Sequence, residues 1–361
     1  MINIRIRNGS GHTRLVAFMA NPRPLAVCCR SISFPESHNP TVDCMSGPVL
    51  RYTRARDPMR IAVTADAHLR TVASHPERYN ALEDVFKQSV EAGIENLIIA
   101  GDLFDTDFQN YAEFESLCRT FPALQLHIIP GNHDPNISGQ SITGDNVRIY
   151  TDPTVVEFDA FTFLFIPYRQ GAKMGEQIAR MEGAIDGKRW VLIGHGDFYG
   201  GVREPNPLEP GTYMPLSRKD VQTFKPRAVF LGHIHMPPPP VNDVHYVGSP
   251  CGLDISETGQ RTFRIYDTAD GSIESRGIET DVLYFKETFL VLPRDNEVSL
   301  LKQAIADRIE TWGIEPSDRP KVQVRIEAAG YAKDRSAVLQ ALKLGFEGFT
   351  YFKDEGPTIE D

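Results

Sequence analysis

Cysteine is scarce: there are five in 361 residues, and three of them (Cys28, Cys29 and Cys44) fall within the first 45. That is not the disulfide framework of a secreted protein, and a reducing cytoplasm is the expected location. Long apolar runs are missing too. None reaches the roughly 18 residues needed to cross a bilayer, so no membrane span is expected. Positive charge is also in short supply, with 38 Lys and Arg against 48 Asp and Glu for a net charge of -10. This argues against a broad electrostatic footprint for nucleic acid, whose phosphates are usually met by clustered cations. It leaves room for a phosphate site centred on divalent ions, which can sit inside an acidic surface. What the chain does have is length and 41% hydrophobic residues, enough for one large domain and a smaller one.

Residues 1–58 differ from the rest. They hold eight Arg and no Lys against Glu36, Asp43 and Asp57, and show no sustained period. We read them as a poorly ordered extension. The Arg bias fits an organellar transit peptide in part, but Pro22, Pro24, Pro35, Pro40 and Pro48 interrupt any amphipathic helix. A start assigned upstream of a natural Met59 is the simpler expectation, and a functional arm is the third.

From Arg60 onward, strand and helix patterns alternate. Ile61 to Ala65, Leu97 to Ala100, Leu124 to Ile129, Val191 to Ile193 and Ala228 to Leu231 are short apolar runs suited to strands buried on both faces. Between the first two, Tyr79 to Ala92 carries Leu82, Val85, Phe86 and Val90 at helical spacing. A layered α/β domain over 59–292 follows. Thr262 to Tyr266, Ser272 to Ser275 and Val282 to Leu290 are expected as antiparallel strands closing its core. A compact α+β unit over 293–361 comes next, with helices Val298 to Thr311 and Arg335 to Leu344 and strands Val322 to Ile326 and Phe349 to Phe352.

The chemistry sits at the strand ends. Four apolar runs end in a glycine followed by metal-binding side chains: Gly101-Asp102, Gly131-Asn132-His133-Asp134, Gly194-His195 and Gly232-His233-Ile234-His235. Glycine permits a sharp turn and close approach, and the carboxyl edge of an α/β sheet is where ligands bind. A fifth run ends Asp66-Ala67-His68, where extended backbone would put both side chains on one face. Together these ends offer two carboxylates, one carboxamide and four or five imidazoles, without thiolate. That donor set suits Mn, Fe, Zn or Mg. Seven or more ligands are too many for one ion and fit two ions about 3.5 to 4 Å apart clamping a phosphoryl group, with one carboxylate bridging.

Each motif alone has a plainer explanation. Asp105 could cap a helix, and Gly-Asn-His-Asp is good turn chemistry. Five in a row, each directly after a buried strand, are not independent turns. His75, His127 and His245 lie outside the motifs and read as surface or satisfied core residues. Cys118 reads as a packed thiol, and Pro237 to Pro240 as a stiff loop.

Read in order, Asp66-x-His68, Gly101-Asp102-x-x-Asp105, Gly131-Asn132-His133-Asp134, Gly194-His195 and Gly232-His233-x-His235 resemble the calcineurin-like metallophosphoesterase signature. Asp-Ala-His-Leu, Gly-Asp-Leu-Phe-Asp and Tyr246-Val-Gly-Ser-Pro250 are similar to the SbcD type of DNA double-strand-break repair nuclease. The resemblance covers roughly Met59 to Leu290. It implies a metallophosphoesterase β-sandwich flanked by helices, followed by a capping domain. It also implies one metal on Asp66, His68, Asp102 and His235 and a second on Asp102, Asn132, His195 and His233, with Asp102 bridging. His133 would then protonate the leaving oxygen, with Asp105 orienting its ring, and manganese is the implied metal. The implied function is a DNA exonuclease and endonuclease subunit that hydrolyses phosphodiester bonds with a two-metal-activated water, partnered by an SbcC-like coiled-coil ATPase and forming a homodimer. Two features depart from the pattern. Arg70 stands where such proteins often have glycine, and the chain ends soon after Phe352, where cellular members usually continue into a helical docking segment and short phage versions do not. The rival readings are a stand-alone phosphodiesterase or phosphatase with the same motifs, and a scaffold with a dead site.

Overall fold

In a computed structural model, the described residues are 2–7, 13–18, 49–52, 59–108, 110–158, 161–199 and 212–360, the first three segments as backbone only. The expectation of disorder over 1–58 falls mainly outside them. Within residues 1–45, a compact unit of its own, Ile2–Arg7 pairs antiparallel with Thr13–Phe18.

The unit from Ser46 onward is built on two six-stranded sheets. The first runs, in spatial order, Ile273–Gly277, Thr262–Asp267, Arg60–Thr64, Asn96–Ala100, Gln125–Ile129 and Val147–Ile149. Its last four strands are parallel, and the first two are antiparallel additions. The second runs Val244–Tyr246, Ala228–Gly232, Trp190–His195, Phe161–Ile166, Thr154–Phe158 and Val49–Tyr52.

Alternation along the strands explains the layering. Ile61, Val63 and Ile98 face Phe163, Phe165, Val191 and Phe230 in a core between the sheets. Their neighbours Ala62, Leu97 and Ile99 face outward onto Leu82, Val85 and Phe86 of the Pro76–Glu91 helix and Phe114 of the Ala112–Thr120 helix. On the other side, Leu164, Leu192 and Leu231 are covered by Met174, Ile178 and Met181 of the Met174–Ile185 helix. The result is a helix–sheet–sheet–helix sandwich, and strands buried on both faces are why the runs read as apolar without a period.

One expected strand pairs differently. Leu283–Val291 does not close the core sheet. It pairs in parallel, over its whole length, with Val322–Gly330, which in turn carries Thr350–Tyr351 and Thr358–Glu360. Phe285, Phe289 and Val291 face Leu301 and Ile305 of the Glu297–Thr311 helix and Leu342 of the Arg335–Gly345 helix. The strand's alternating burial is complete only against those helices. Among the described residues, no helix is long and apolar enough to cross a membrane.

Candidate metal centre

The strand ends of the two sheets meet at one edge. After Arg60–Thr64 and Asn96–Ala100 the chain continues as two loops held side by side, with Asp66 N–H on Gly101 O (3.0 Å), His68 N–H on Asp102 O (3.0 Å) and Leu69 N–H on Leu103 O (2.8 Å). This pairing folds Asp66, His68 and Asp102 inward, where all three are buried. Their φ angles are +55°, +45° and +49°, and His233 adds +93°. Non-glycine residues pay strain in this region, and such strain collects at sites where the surroundings impose it. The glycines answer a different need. A Cβ on Gly131 would lie 2.1 Å from Asp102 Oδ1, and one on Gly101 2.2 Å from His195 Nδ1.

All nine side chains singled out from the sequence lie together. His195 Nε2 is 3.2 Å from Asp102 Oδ2 and 2.8 Å from Asn132 Oδ1, and His233 Nδ1 is 3.1 Å from the same Asn132 oxygen. His68 Nε2 is 3.7 Å from Asp102 Oδ2 and 3.0 Å from His235 Nε2. Asp66 Oδ1 accepts the His233 N–H (2.8 Å), and Asp102 Oδ1 accepts the His133 N–H (2.8 Å). Donor atoms of Asp66, His68 and His235 converge closely enough to hold one ion, as do those of Asp66, Asp102 and His195. His133 meets the same criterion with His68 and Asp102. Its Nδ1, however, sits 2.7 Å from Thr106 Oγ1 and 3.6 Å from Asp105 Oδ1. Asp105 in turn accepts from Arg70 Nε (2.7 Å), Arg78 and the Thr106 N–H.

Three observations show that this donor set fits divalent cations. Asp66 Oδ2 is buried with no hydrogen-bond partner. Two like ring nitrogens, on His68 and His235, face each other at 3.0 Å, an arrangement in which a shared cation can replace a proton. His195 donates Nδ1–H to Ala100 O (2.9 Å), so Nε2, which faces the Asp102 and Asn132 oxygens, is the nitrogen that would meet an ion in place of its proton. The electrostatics agree. Burial would lower His195, but the Asp102 and Asp66 carboxylates raise it to about 9. Burial likewise would raise Asp102, but the charge and hydrogen bond of His195, with His68 and His133 nearby, hold it well below the usual carboxylate range. A pocket that draws protons onto a buried histidine has an excess of negative charge that metal binding satisfies.

Several contributors lie outside the nine residues singled out from the sequence. Glu257 Oε1 lies 2.7 Å from His235 Nδ1, and this bond keeps the Glu257 carboxyl low and the His235 ring high in spite of burial. Asp134, which the sequence marks only as a turn residue, ties the loops together by accepting Gly131 N–H (2.7 Å) and Phe104 N–H (3.0 Å). Burial, and then the Asp102 charge, raise it to about 7. Tyr213 packs against the His233 ring at 4.7 Å. Adjacency to Asp105 is the only sequence signal for Thr106, and Glu257 has none. Of the histidines outside the motifs, His127 is fully buried and satisfied by Asn96 and Tyr150, and His75 pairs with Glu77.

Residues 59–237 match the model of the calcineurin-like phosphoesterase family. The chain is 27% identical over 259 residues to the SbcD subunit of nuclease SbcCD from Staphylococcus saprophyticus, a match covering 61% of this chain and 68% of that protein. It is 30% identical over 233 residues to exonuclease subunit 1 of Enterobacteria phage T4, covering 58% and 65%. Among solved structures, a dimetal phosphatase from Danio rerio matches at 11% identity and a TM-score of 0.40, over 62% of this chain and 96% of that one.

Proposed function

Residues 59–237 form a calcineurin-like phosphoesterase domain, and from that premise we propose that the protein is a metal-dependent DNA nuclease subunit that hydrolyses phosphodiester bonds. What supports the step from phosphoesterase to nuclease is that both curated relatives are nuclease subunits, while residues 59–237, which match the phosphoesterase family, contain the whole donor set. On this reading Asp66, His68, Asp102 and His235 hold one ion, and Asp102, Asn132, His195 and His233 hold the other, with Mn2+ as the expected metal. Two ions in such a site supply Lewis acidity, orient the phosphoryl group and bring the pKa of water toward neutrality.

The chain's own part is positioning and proton transfer. Asp66 and Asp102 each use one oxygen to fix a backbone N–H, of His233 and His133 respectively, which leaves the other for an ion. His133 is the acid that protonates the leaving oxygen. With Nδ1 on Thr106 and near Asp105, the ring is held in place to transfer the proton, and a positioned acid of this kind contributes about 10²–10⁴-fold. The substrate is DNA, with an SbcC-like coiled-coil ATPase as partner, a homodimer as the assembly and the cytoplasm as the location. Residues 293–361, with the strand before them, cap the nuclease domain.

A stand-alone phosphodiesterase or phosphatase is the alternative, since it would use the same donors. The deciding experiment incubates purified protein with Mn2+ on linear DNA and, in parallel, on a small phosphodiester. Cleavage of DNA is expected. Rapid hydrolysis of the small diester with intact DNA would sink the nuclease reading.

A further inference from the structure

Burying a carboxylate beside an imidazole is costly unless the pair is used, because both groups give up hydration. Glu257 is such a carboxylate, half-buried with its side chain 12% exposed. Its Oε1 meets His235 Nδ1 at 2.7 Å, while Oε2 accepts Ser249 Oγ (3.2 Å) and Leu253 N–H (3.1 Å). Buried Arg261 closes the arrangement from the other side. It donates to Ser249 O (3.1 Å) and Ser249 Oγ (2.9 Å), and its guanidinium also reaches the His235 carbonyl. One Glu–Arg pair therefore holds both the ring and the backbone of His235.

A carboxylate at Nδ1 demands the N–H tautomer there, and this leaves the lone pair on Nε2, which faces His68 Nε2 at 3.0 Å. Across the centre His195 has the same orientation, but its Nδ1 meets an uncharged group, the Ala100 carbonyl, at 2.9 Å. Carboxylate partners raise the basicity of a ligating imidazole and fix its ring, and their loss typically costs about 10–100-fold in metal affinity. We infer that Glu257 is a positioning residue that fixes His235 as an Nε2 donor and strengthens ion binding on the Asp66–His68–His235 side of the centre. The inference rests on the two-ion reading above.

The test is Mn2+ titration calorimetry on the full chain, with anomalous diffraction at limiting Mn2+ to identify the side that is filled. Glu257→Gln keeps the shape and loses the charge, and Glu257→Leu loses both. Each should weaken one of two ions, by about 10-fold for the first and up to about 100-fold for the second. The anomalous signal should fade beside His235 and persist beside His195, with the metal-free melting temperature of Glu257→Gln unchanged. Asp254→Ala loosens the same loop, where its Oδ1 accepts Ser256 N–H (3.0 Å), without touching the side chains of Glu257 or His235, and should leave Mn2+ affinity as it was. If Glu257→Gln and Glu257→Leu bind both ions like the parent, or if Asp254→Ala weakens binding as much as Glu257→Gln, the inference is overturned. A parent protein that binds no Mn2+ would instead bring down the two-ion reading itself.

Discussion

His133 and Gly131 sit two positions apart and should fail in different ways when changed. His133→Ala removes the proposed acid but leaves every proposed ligand in place. Its single-turnover cleavage rate should drop about 10²–10⁴-fold while Mn2+ binding by calorimetry stays intact. Unchanged cleavage would remove His133 from the chemistry. Gly131→Ala should do the reverse, because its new Cβ would lie 2.1 Å from the Asp102 oxygen and 2.3 Å from the Asp102 backbone nitrogen. Metal binding should be lost along with about 2–4 kcal/mol of stability in urea unfolding. At this scale the sequence is most legible where a residue type has a single use. Glycine before a proposed ligand, Asp-x-His and His-x-His each point to a position in the candidate centre. Glu257 is not legible, because it approaches His235 from 22 residues downstream and nothing local marks a glutamate in a turn as different from a surface one.

At the level of elements, His127 ties two strands and a loop together. On the Gln125–Ile129 strand, it bonds Asn96 of the neighbouring strand and Tyr150 beyond the sheet edge, and its ring packs edge-on to Phe158. Burial depresses it to about 3, so it is neutral in the fold, whereas an unfolded histidine takes up a proton below about 6.5. Its stabilising contribution is thus complete above about pH 6.5 and declines by about 1.4 kcal/mol per pH unit as the pH falls from there toward 3. Urea unfolding at pH 7 and pH 5 should show a smaller loss on acidification for His127→Gln than for the parent, by about 2 kcal/mol. Equal losses would contradict the assignment.

The apolar strands are legible in type because their burial on both faces leaves a run of Ile, Leu and Val. Partnership is another matter, since alternation says that a strand has a buried face and not which sheet buries it. Leu283–Val291 shows the gap: its nine residues alternate well, yet the helices that complete them come later in the chain. A fragment spanning 282–361 should therefore unfold cooperatively on its own. One starting at 293 lacks an edge strand carrying Phe285 and Phe289, and should show no cooperative transition by circular dichroism.

For the molecule as a whole, the proposed ions act as a ligand of the folded state only. Saturating Mn2+ at about 100 times its dissociation constant should stabilise by about 2.7 kcal/mol per ion, and for a core of this size chelation should lower the melting temperature by about 5–10 °C for each ion removed, reversibly. A melting curve indifferent to chelator would argue against a resident metal. The layered class of the fold follows from the order of strands and helices. The second sheet is only half legible, because Thr154–Phe158 and Phe161–Ile166 carry no catalytic side chain at their ends and so no motif to mark them.

Asp66, Asp102 and Asn132 follow strands of one sheet, while His195, His233 and His235 belong to the other. The centre is a joint between two halves of the chain, closed only when both sheets present their edges at the same height. Neither half can drift in sequence without regard to the other. A hybrid joining residues before the Phe161–Ile166 strand to the later half of a distant relative would inherit every proposed ligand and still misplace the joint, unless the large side chains between the sheets were exchanged together with it.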